Sequence, residues 1–267
     1  MIKNNLKLIY IVFALAIVCK NTTSQELLSY QSLYTIKLDN NRDSTPSIGK
    51  SYITDAQGEL FLDWFDNCKS WVSNQRMFVK FRNSNNVGTI SDINFSLKES
   101  YESSELEFAL QVKENNLLVE RINGKGKKDK KVNINISRPA EKKIELPIDV
   151  MFPHEHLKFI LTKLGSSETM FSKKVYEGSI PNNFLNISTF INESKSTLAK
   201  ELLTDDVLNE FYTVRMAYYE DKASVASLEL TAKINKQGLV SYFKYDYPDY
   251  SLIMNLKKLT INKKNCN

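Results

Sequence analysis

The sequence predicts a mainly β protein: a long antiparallel sheet of about a dozen or more strands, curled round one interior, with one plugging or capping α-helix near 153–164. Three observations carry that expectation. Apolar and polar residues alternate with period two through most of the chain, asparagine pairs separate the alternating segments, and a single segment changes clearly to helical spacing. Period two places successive side chains on opposite faces of a strand, so each such segment buries one face and wets the other.

Leu106, Phe108, Leu110 and Val112 interleave with Glu105, Glu107, Gln111 and Lys113. Ala226, Leu228, Leu230, Ala232 and Ile234 repeat the pattern against Ser227, Glu229, Thr231 and Lys233. Val132, Ile134 and Ile136 do so against Asn133, Asn135 and Ser137, and Phe243, Tyr245 and Tyr247 against Lys244 and Asp246. Further strands are expected at 29–38, 48–54, 59–65, 71–82, 88–98, 117–122, 184–191, 211–219 and 250–261. One-faced strands in that number suit an antiparallel sheet wrapped on itself. Glycine is scarce, at 8 residues, so turns fall to Asn, Asp and Ser, which tolerate left-handed backbone through local hydrogen bonds. Asn40-Asn41, Asn85-Asn86, Asn115-Asn116 and Asn182-Asn183 are such turns.

The helical segment is marked by Leu157, Ile160, Leu161 and Leu164, with Pro153 suited to a first turn and Gly165 to a stop. A weaker helix is expected around 195–203. One good helix beside so long a sheet points to a barrel or part-barrel that the helix fills.

Residues 1–24 read as a secretory signal peptide. Lys3 and Lys7 precede an apolar run of eleven residues, Leu8 to Val18, and small or polar residues follow to Ser24. A bilayer span needs about 18 apolar residues or more, so this run is too short for one. An uncleaved anchor and a lipoprotein signal ending at Cys19 are the rival readings. The second is disfavoured because Ile17 and Val18 are branched where a small residue is needed. The remaining 25–267 form a single domain, since no Pro-, Gly- or Ser-rich linker divides them. The expected location is the periplasm.

Removing the leader takes away Lys3, Lys7 and Lys20 and no acid, which lowers the formal charge from +5 to +2. So balanced a chain lacks the concentrated basic face of a nucleic-acid binder. The dense run Lys125-Gly-Lys-Lys-Asp-Lys-Lys131 reads as a solvated hairpin loop, with contact to anionic headgroups or peptidoglycan as the functional alternative. Without the leader two cysteines remain, Cys68 and Cys266, an even pair that an oxidising compartment allows to join.

Catalytic chemistry is thin. The only histidines are His154 and His156, in Pro153-His-Glu-His, and residues two apart at a helix start point in different directions. That spacing favours a first-turn structural role over a metal site, and no His-Glu-x-x-His pattern occurs. Gly178-Ser179 lacks the second glycine of a nucleophile elbow and reads as a turn. Asp205 and Asp206 lie in a polar stretch, and Cys68, beside Lys69 and Trp71, is a nucleophile only if it has no disulfide partner. No catalytic residue, cofactor or metal is assigned. The alternative is an enzyme on an envelope polymer or lipid, using His154 and His156 or an acidic pair.

Several short segments resemble one known family in order and spacing. They are Tyr30-Gln-Ser-Leu-Tyr34, Gly58-Glu-Leu-Phe-Leu-Asp-Trp64, Asp66-Asn-Cys68, Trp71, Arg76, Arg138-Pro139, Leu146-Pro147, Phe152-Pro153, His156-Leu157, Tyr176-Glu-Gly-Ser179, Pro248-x-Tyr250, Leu256 and Cys266. Together they resemble the EipB family of periplasmic cell-envelope integrity proteins over nearly the whole mature chain. Two departures are Tyr30 or Gln31 at a family histidine and Asn235-Lys-Gln-Gly238 at a glycine-rich turn.

The resemblance implies an open spiral β-barrel similar in shape to Lol-type lipoprotein carriers, and a monomer without defining enzymatic activity. It also implies a conserved disulfide, carried over to Cys68 and Cys266. The expected partners are a lipid or acyl ligand, held on the Leu, Phe and Tyr faces, or another envelope protein. No nucleic acid is expected, and contact with the membrane is peripheral at most.

Overall fold

The computed structural model describes residues 27–41 and 51–262. Its strands, in chain order, are β1 (Ser29–Leu38), β2 (Ile53–Asp66), β3 (Ser70–Asn83), β4 (Gly88–Ser100), β5 (Glu105–Glu114), β6 (Leu117–Lys128), β7 (Val132–Arg138) and β8 (Lys142–Leu146). Helix α1 (Pro153–Lys163) follows, then β9 (Met170–Val175), β10 (Leu185–Ser196), β11 (Phe211–Tyr219), β12 (Leu228–Asn235), β13 (Val240–Asp246) and β14 (Ser251–Asn262). These fourteen strands form one sheet, ordered β8-β7-β6-β5-β4-β3-β2-β1-β14-β13-β12-β11-β10-β9. Every neighbouring pair is antiparallel.

The first and last strands pair in the middle of the sheet, while β8 and β9, consecutive in the chain, are its two edges. The barrel is therefore open along one seam. Met151, just after β8, makes a parallel bridge to Val175 of β9. Its N–H donates to the Lys174 carbonyl at 2.8 Å, and its carbonyl accepts from the Tyr176 N–H at 2.9 Å. Lys174 to Asp149 and Lys142 to Asn182 add side-chain contacts across the same gap.

Asparagine turns form as expected. Asn115 and Asn116 adopt φ of 50° and 66°, the paired left-handed geometry of a tight hairpin, and Asn86 takes 61°. Helix α1 begins with Pro153 at its first position and is followed by Gly165 at φ 77°.

Several boundaries differ from expectation. Residues 53–54 of the expected strand 48–54 and the whole of 59–65 fall in one long strand, β2, while 48–50 lie outside the described residues. Gly58, inside β2, is a close approach: a Cβ there would stand 2.1 Å from the Phe78 carbonyl oxygen of β3. The expected helix at 195–203 is absent. There β10 runs on to Ser196, and only a 3₁₀ turn at Lys200–Leu202 follows, because Leu198 and Val207 are drawn into the core beside β1 and β14. Lys125 to Lys128 lie within β6, and the turn is confined to 129–131.

Strands β8 and β9 were not foreseen. β8 is Lys-Lys-Ile-Glu-Leu, too short and charged to show alternation alone, and pairing with β7 makes it a strand. In β9 the inward phase is Phe171, Lys173 and Val175, so a lysine interrupts the apolar pattern. Inside the barrel the Lys173 ammonium lies 4.2 Å from the ring centre of Phe159 on α1, which gives that cation an aromatic face.

Register divides the barrel into two ends. The β2–β3, β4–β5 and β12–β13 turns lie at one end, and α1 crosses it. Trp64, Trp71 and Glu99 meet the start of the helix, while Leu161 stands beside Gly238. Ile160 and Leu164 join the core formed by the inner faces of β9 to β13. The β3–β4, β5–β6, β11–β12 and β13–β14 turns lie at the other end, which the helix does not cover.

Candidate functional site

Phe152 occupies the N-cap of α1 and has no side-chain oxygen with which to cap it. Glu99, from the end of β4, does so from across the barrel. Its Oε2 accepts the His154 N–H at 2.7 Å and its Oε1 the Glu155 N–H at 2.9 Å. A carboxylate at a helix N-terminus satisfies orphan donors and complements the helix dipole. The carboxyl is nonetheless buried, and burial raises its pKa. Glu155 turns back to accept the Phe152 N–H at 3.1 Å and pairs with Lys128.

His154 packs against two indoles, 5.3 Å from Trp71 and 5.6 Å from Trp64, which themselves stack at 5.5 Å. Burial, with Lys158 nearby, lowers its pKa to about 3; burial, with Lys173 nearby, lowers that of His156 to about 4. Among the described residues, His154 Nδ1 and His156 Nε2 have no hydrogen-bond partner. Burial keeps both rings neutral in separate surroundings, against the weaker opposing pull of the Asp66 carboxylate on His154. Among the described residues, no group of three or more His, Cys, Asp or Glu side chains is placed to hold a metal.

The second cluster lies toward the uncovered end. The β9–β10 connection turns into the barrel instead of passing over its rim. Tyr176 is fully buried with its ring 5.6 Å from Phe108, and a Cβ on Gly178 would meet the Phe108 ring at 2.4 Å. Between them is Glu177, whose carboxyl accepts a hydrogen bond from the Ser179 hydroxyl. Burial raises the Glu177 pKa, and burial also raises those of Tyr218, Tyr245 and Tyr247, with the Glu177 charge a smaller addition. An aromatic ladder runs down the inner wall here, from Phe81 through Tyr250, Tyr247, Tyr245 and Phe243 to Tyr34. Met77, Ile93, Phe95, Tyr218, Tyr245 and Tyr247 all face inward by register or packing, yet remain only half-buried.

A family model described as EipB-like matches residues 21–263. The chain belongs to the EipB-like family. No curated protein matches it. Among solved structures, a β-barrel-like protein from Brucella abortus, itself a domain of unknown function, has a TM-score of 0.80 at 17% identity, over 89% of this chain and 99% of the other. At that identity the likeness is one of fold, and it agrees with the open sheet and single helix of this member of the EipB-like family.

The remaining candidates are scattered. The lysine run is spent on cross-strand acids: Lys125 pairs with Glu107, Lys127 with Glu105, Lys128 with Glu155 and Lys131 with Glu145. The exposed pairs of Lys125, Lys127 and Lys131 contribute about 0–1 kcal/mol each, and with the partly buried Lys128–Glu155 pair they leave little unpaired charge for an anionic surface. A groove of about 790 Å³ on the outer face of β3 to β8 is lined by Asn74, Ser96, Lys98, Glu107, Asn123 and Lys125, among others. Asp205 and Asp206 are exposed on the β10–β11 connection. Cys68 lies in the β2–β3 turn at φ 70°, its N–H bonded to Asp66 Oδ1 at 2.7 Å; Cys266 and the leader lie outside the described residues. No helix among the described residues is long and apolar enough to cross a membrane.

Sequence reasoning missed Glu99 and Glu177. For Glu99 a signal exists: it continues the inward phase of Ile93, Phe95 and Leu97, where an acid has no place unless it is partnered. For Glu177 there is only the Gly178 turn.

Two outcomes follow from the helix clamp. Glu99→Gln leaves an amide nitrogen facing one of the two backbone donors, and the loss expected in urea unfolding is about 2 kcal/mol. Acid has a defined effect through the histidines. Both bind protons more weakly folded than unfolded, so their contribution is complete above about pH 6.5 and is lost as pH falls toward 4 and 3. Glu99 acts in the opposite sense, since a raised folded pKa costs stability as pH rises through it. Unfolding free energy should fall between pH 6.5 and 5 by up to about 1.4 kcal/mol per pH unit for each histidine, and less steeply in a His154→Gln, His156→Gln variant. A flat profile in the native chain would mean that the rings are solvated.

Proposed function

We propose that this protein is a non-enzymatic periplasmic factor that supports cell-envelope integrity, and that its barrel interior holds the acyl chain of a lipid. The observation that carries the reading is the half-buried inner wall of Met77, Ile93, Phe95 and the tyrosine ladder, open at the end opposite α1. An apolar space of this kind suits a chain of methylenes, each contributing about 0.8 kcal/mol when buried. The signal-peptide-like leader supports export, and membership of the EipB-like family is consistent with an envelope role. The protein acts as a monomer, peripheral to the membrane at most, without cofactor or nucleic acid. Another envelope protein is the second kind of partner this surface would serve.

In the oxidising periplasm we place a disulfide between Cys68 and Cys266. Strand order supports it. Asn262 pairs with Ser29, and the Ser29 hydroxyl accepts the Asp66 N–H at 3.0 Å, so the end of β14 and the β2–β3 turn flank one residue. Four further residues reach at most roughly 14 Å, and two strand spacings are about 10 Å. The closed loop is long, and the chain-entropy model assigns it about 5 kcal/mol as an upper figure.

Delipidated protein should take up an uncharged fluorescent acyl ester and melt at a higher temperature with it bound. Absence of uptake together with an unchanged melting curve would remove the interior-ligand reading. Separately, reduction should lower the melting temperature, and oxidised protein should resist thiol alkylation. Freely reacting thiols would show that the clasp does not form.

A further inference from the structure

The turns of the uncovered end hold apolar side chains out in solvent. Among the described residues, seven large apolar side chains are more than half exposed, and five of them, Val87, Leu117, Leu118, Val119 and Val225, stand on or beside turns of this end. Leu117, Leu118 and Val119 are consecutive at the start of β6 and between 53% and 72% exposed. Single exposed apolar residues are ordinary on a folded chain, whereas an exposed run of three marks a surface that something else covers.

Val87 joins that run in space. Its carbonyl closes the β3–β4 turn by accepting the Asn83 N–H at 3.0 Å. Three residues on, Ile90 is fastened twice to the β5–β6 turn: its carbonyl accepts the Asn115 N–H at 2.8 Å, and its own N–H donates to Asn115 Oδ1 at 2.9 Å. Exposed Tyr52 flanks the other side, where its carbonyl accepts the Ser84 N–H at 2.8 Å. The two hairpin tips are thus held side by side, and their aliphatic side chains form one ridge along the rim.

Long cations stand behind the ridge. Lys80 and Arg82 lie on β3, Lys113 on β5 and Arg121 on β6, and among the described residues none of the four takes part in an ion pair. Asp55, Glu114 and Glu120 share this sector, also without ion pairs, so four cations less three acids leave one positive charge in excess. A stable protein interface takes about 800 Å² from each partner, more than a few aliphatic side chains on two turns present. A bilayer sets no such requirement. It deforms around a protruding tip, buries aliphatic groups where headgroups meet acyl chains, and lets Lys and Arg stems carry their charges up to the phosphates.

We propose that Val87, Leu117, Leu118 and Val119 form a docking ridge on which the uncovered end of the barrel seats against an anionic lipid bilayer, with Lys80, Arg82, Lys113 and Arg121 facing the headgroup phosphates. The ridge lies on the turns, outside the barrel, and goes beyond the interior-ligand reading without depending on it.

The test is co-sedimentation of the purified protein with vesicles of equal parts phosphatidylglycerol and phosphatidylethanolamine. The protein should sediment with them, and less with vesicles of phosphatidylcholine alone or in high salt. The double variant Leu117→Ser, Leu118→Ser should weaken the partition at least about tenfold at an unchanged melting temperature. Leu208→Ser, on the β10–β11 connection at the helix end, should leave it as it is. Leu118→Trp gives a readout that does not rely on lost binding: over the background of Trp64 and Trp71, its emission should move to the blue on vesicles and be quenched by brominated acyl chains. Partition that survives the double serine variant, no change in Leu118→Trp emission, or no binding to the anionic vesicles overturns the ridge. A dimer in sedimentation velocity that Leu118→Glu splits, with no vesicle binding, would assign the ridge to a second copy of the chain and overturn it as well.

Discussion

The sheet ends at two edges, β8 and β9, and the chain that joins them has to complete what strand pairing leaves unfinished. Met151 stitches the seam with two backbone hydrogen bonds, and α1 then crosses the end of the barrel. Everything depends on where that helix starts. Its first turn is held by the buried carboxylate of Glu99, which reaches it from β4 on the opposite half of the sheet. Sequence separation makes this a costly contact to form and an effective one once formed, because it ties the early strands to the late ones through two charge-assisted bonds. The indoles of Trp64 and Trp71 then pack on His154, and the two histidines are kept neutral by the same burial.

A plug at one end leaves the other end to be explained. There the β9–β10 connection enters the lumen, with Tyr176 and Gly178 set against Phe108. Gly178 has φ 86° and almost no room for a side chain, so the turn is bound to glycine on both counts. The helix-capped end is thus tightly packed, with its charges paired or capping the helix, whereas the inner-facing tyrosines and Glu177 lie toward the uncovered end.

The lysine run illustrates how a sequence feature changes meaning in three dimensions. As a string it is a dense positive patch. In the sheet, period two sends Lys125 and Lys127 to the outer face opposite Glu107 and Glu105, and Lys128 across to Glu155 near the start of α1. A charge that looks available for a partner is used internally, and an acid that looks ordinary, Glu177, has no cation beside it among the described residues.

The sequence by itself determined what depends on local periodicity and turn chemistry. Alternation placed most of the strands, Asn115-Asn116 and Gly165 marked their turns and stop, and Pro153 with Leu157, Ile160, Leu161 and Leu164 located the helix. Family membership was legible too, because short motifs such as Asp66-Asn-Cys68 and Phe152-Pro153 keep their order along the chain. Tertiary structure alone decided the rest. β8 and β9 lack a clean alternation and become strands through pairing; the stretch after Ser196 gives up helix to bury Leu198 and Val207; and Gly58 lets β2 approach β3 closely. The candidate site was the least legible part. Glu99 and Glu177 are unremarkable as letters, and their roles arise only where the fold brings a helix terminus to one and carries the other into the barrel, since the free energy of a charge depends on its burial and its partners.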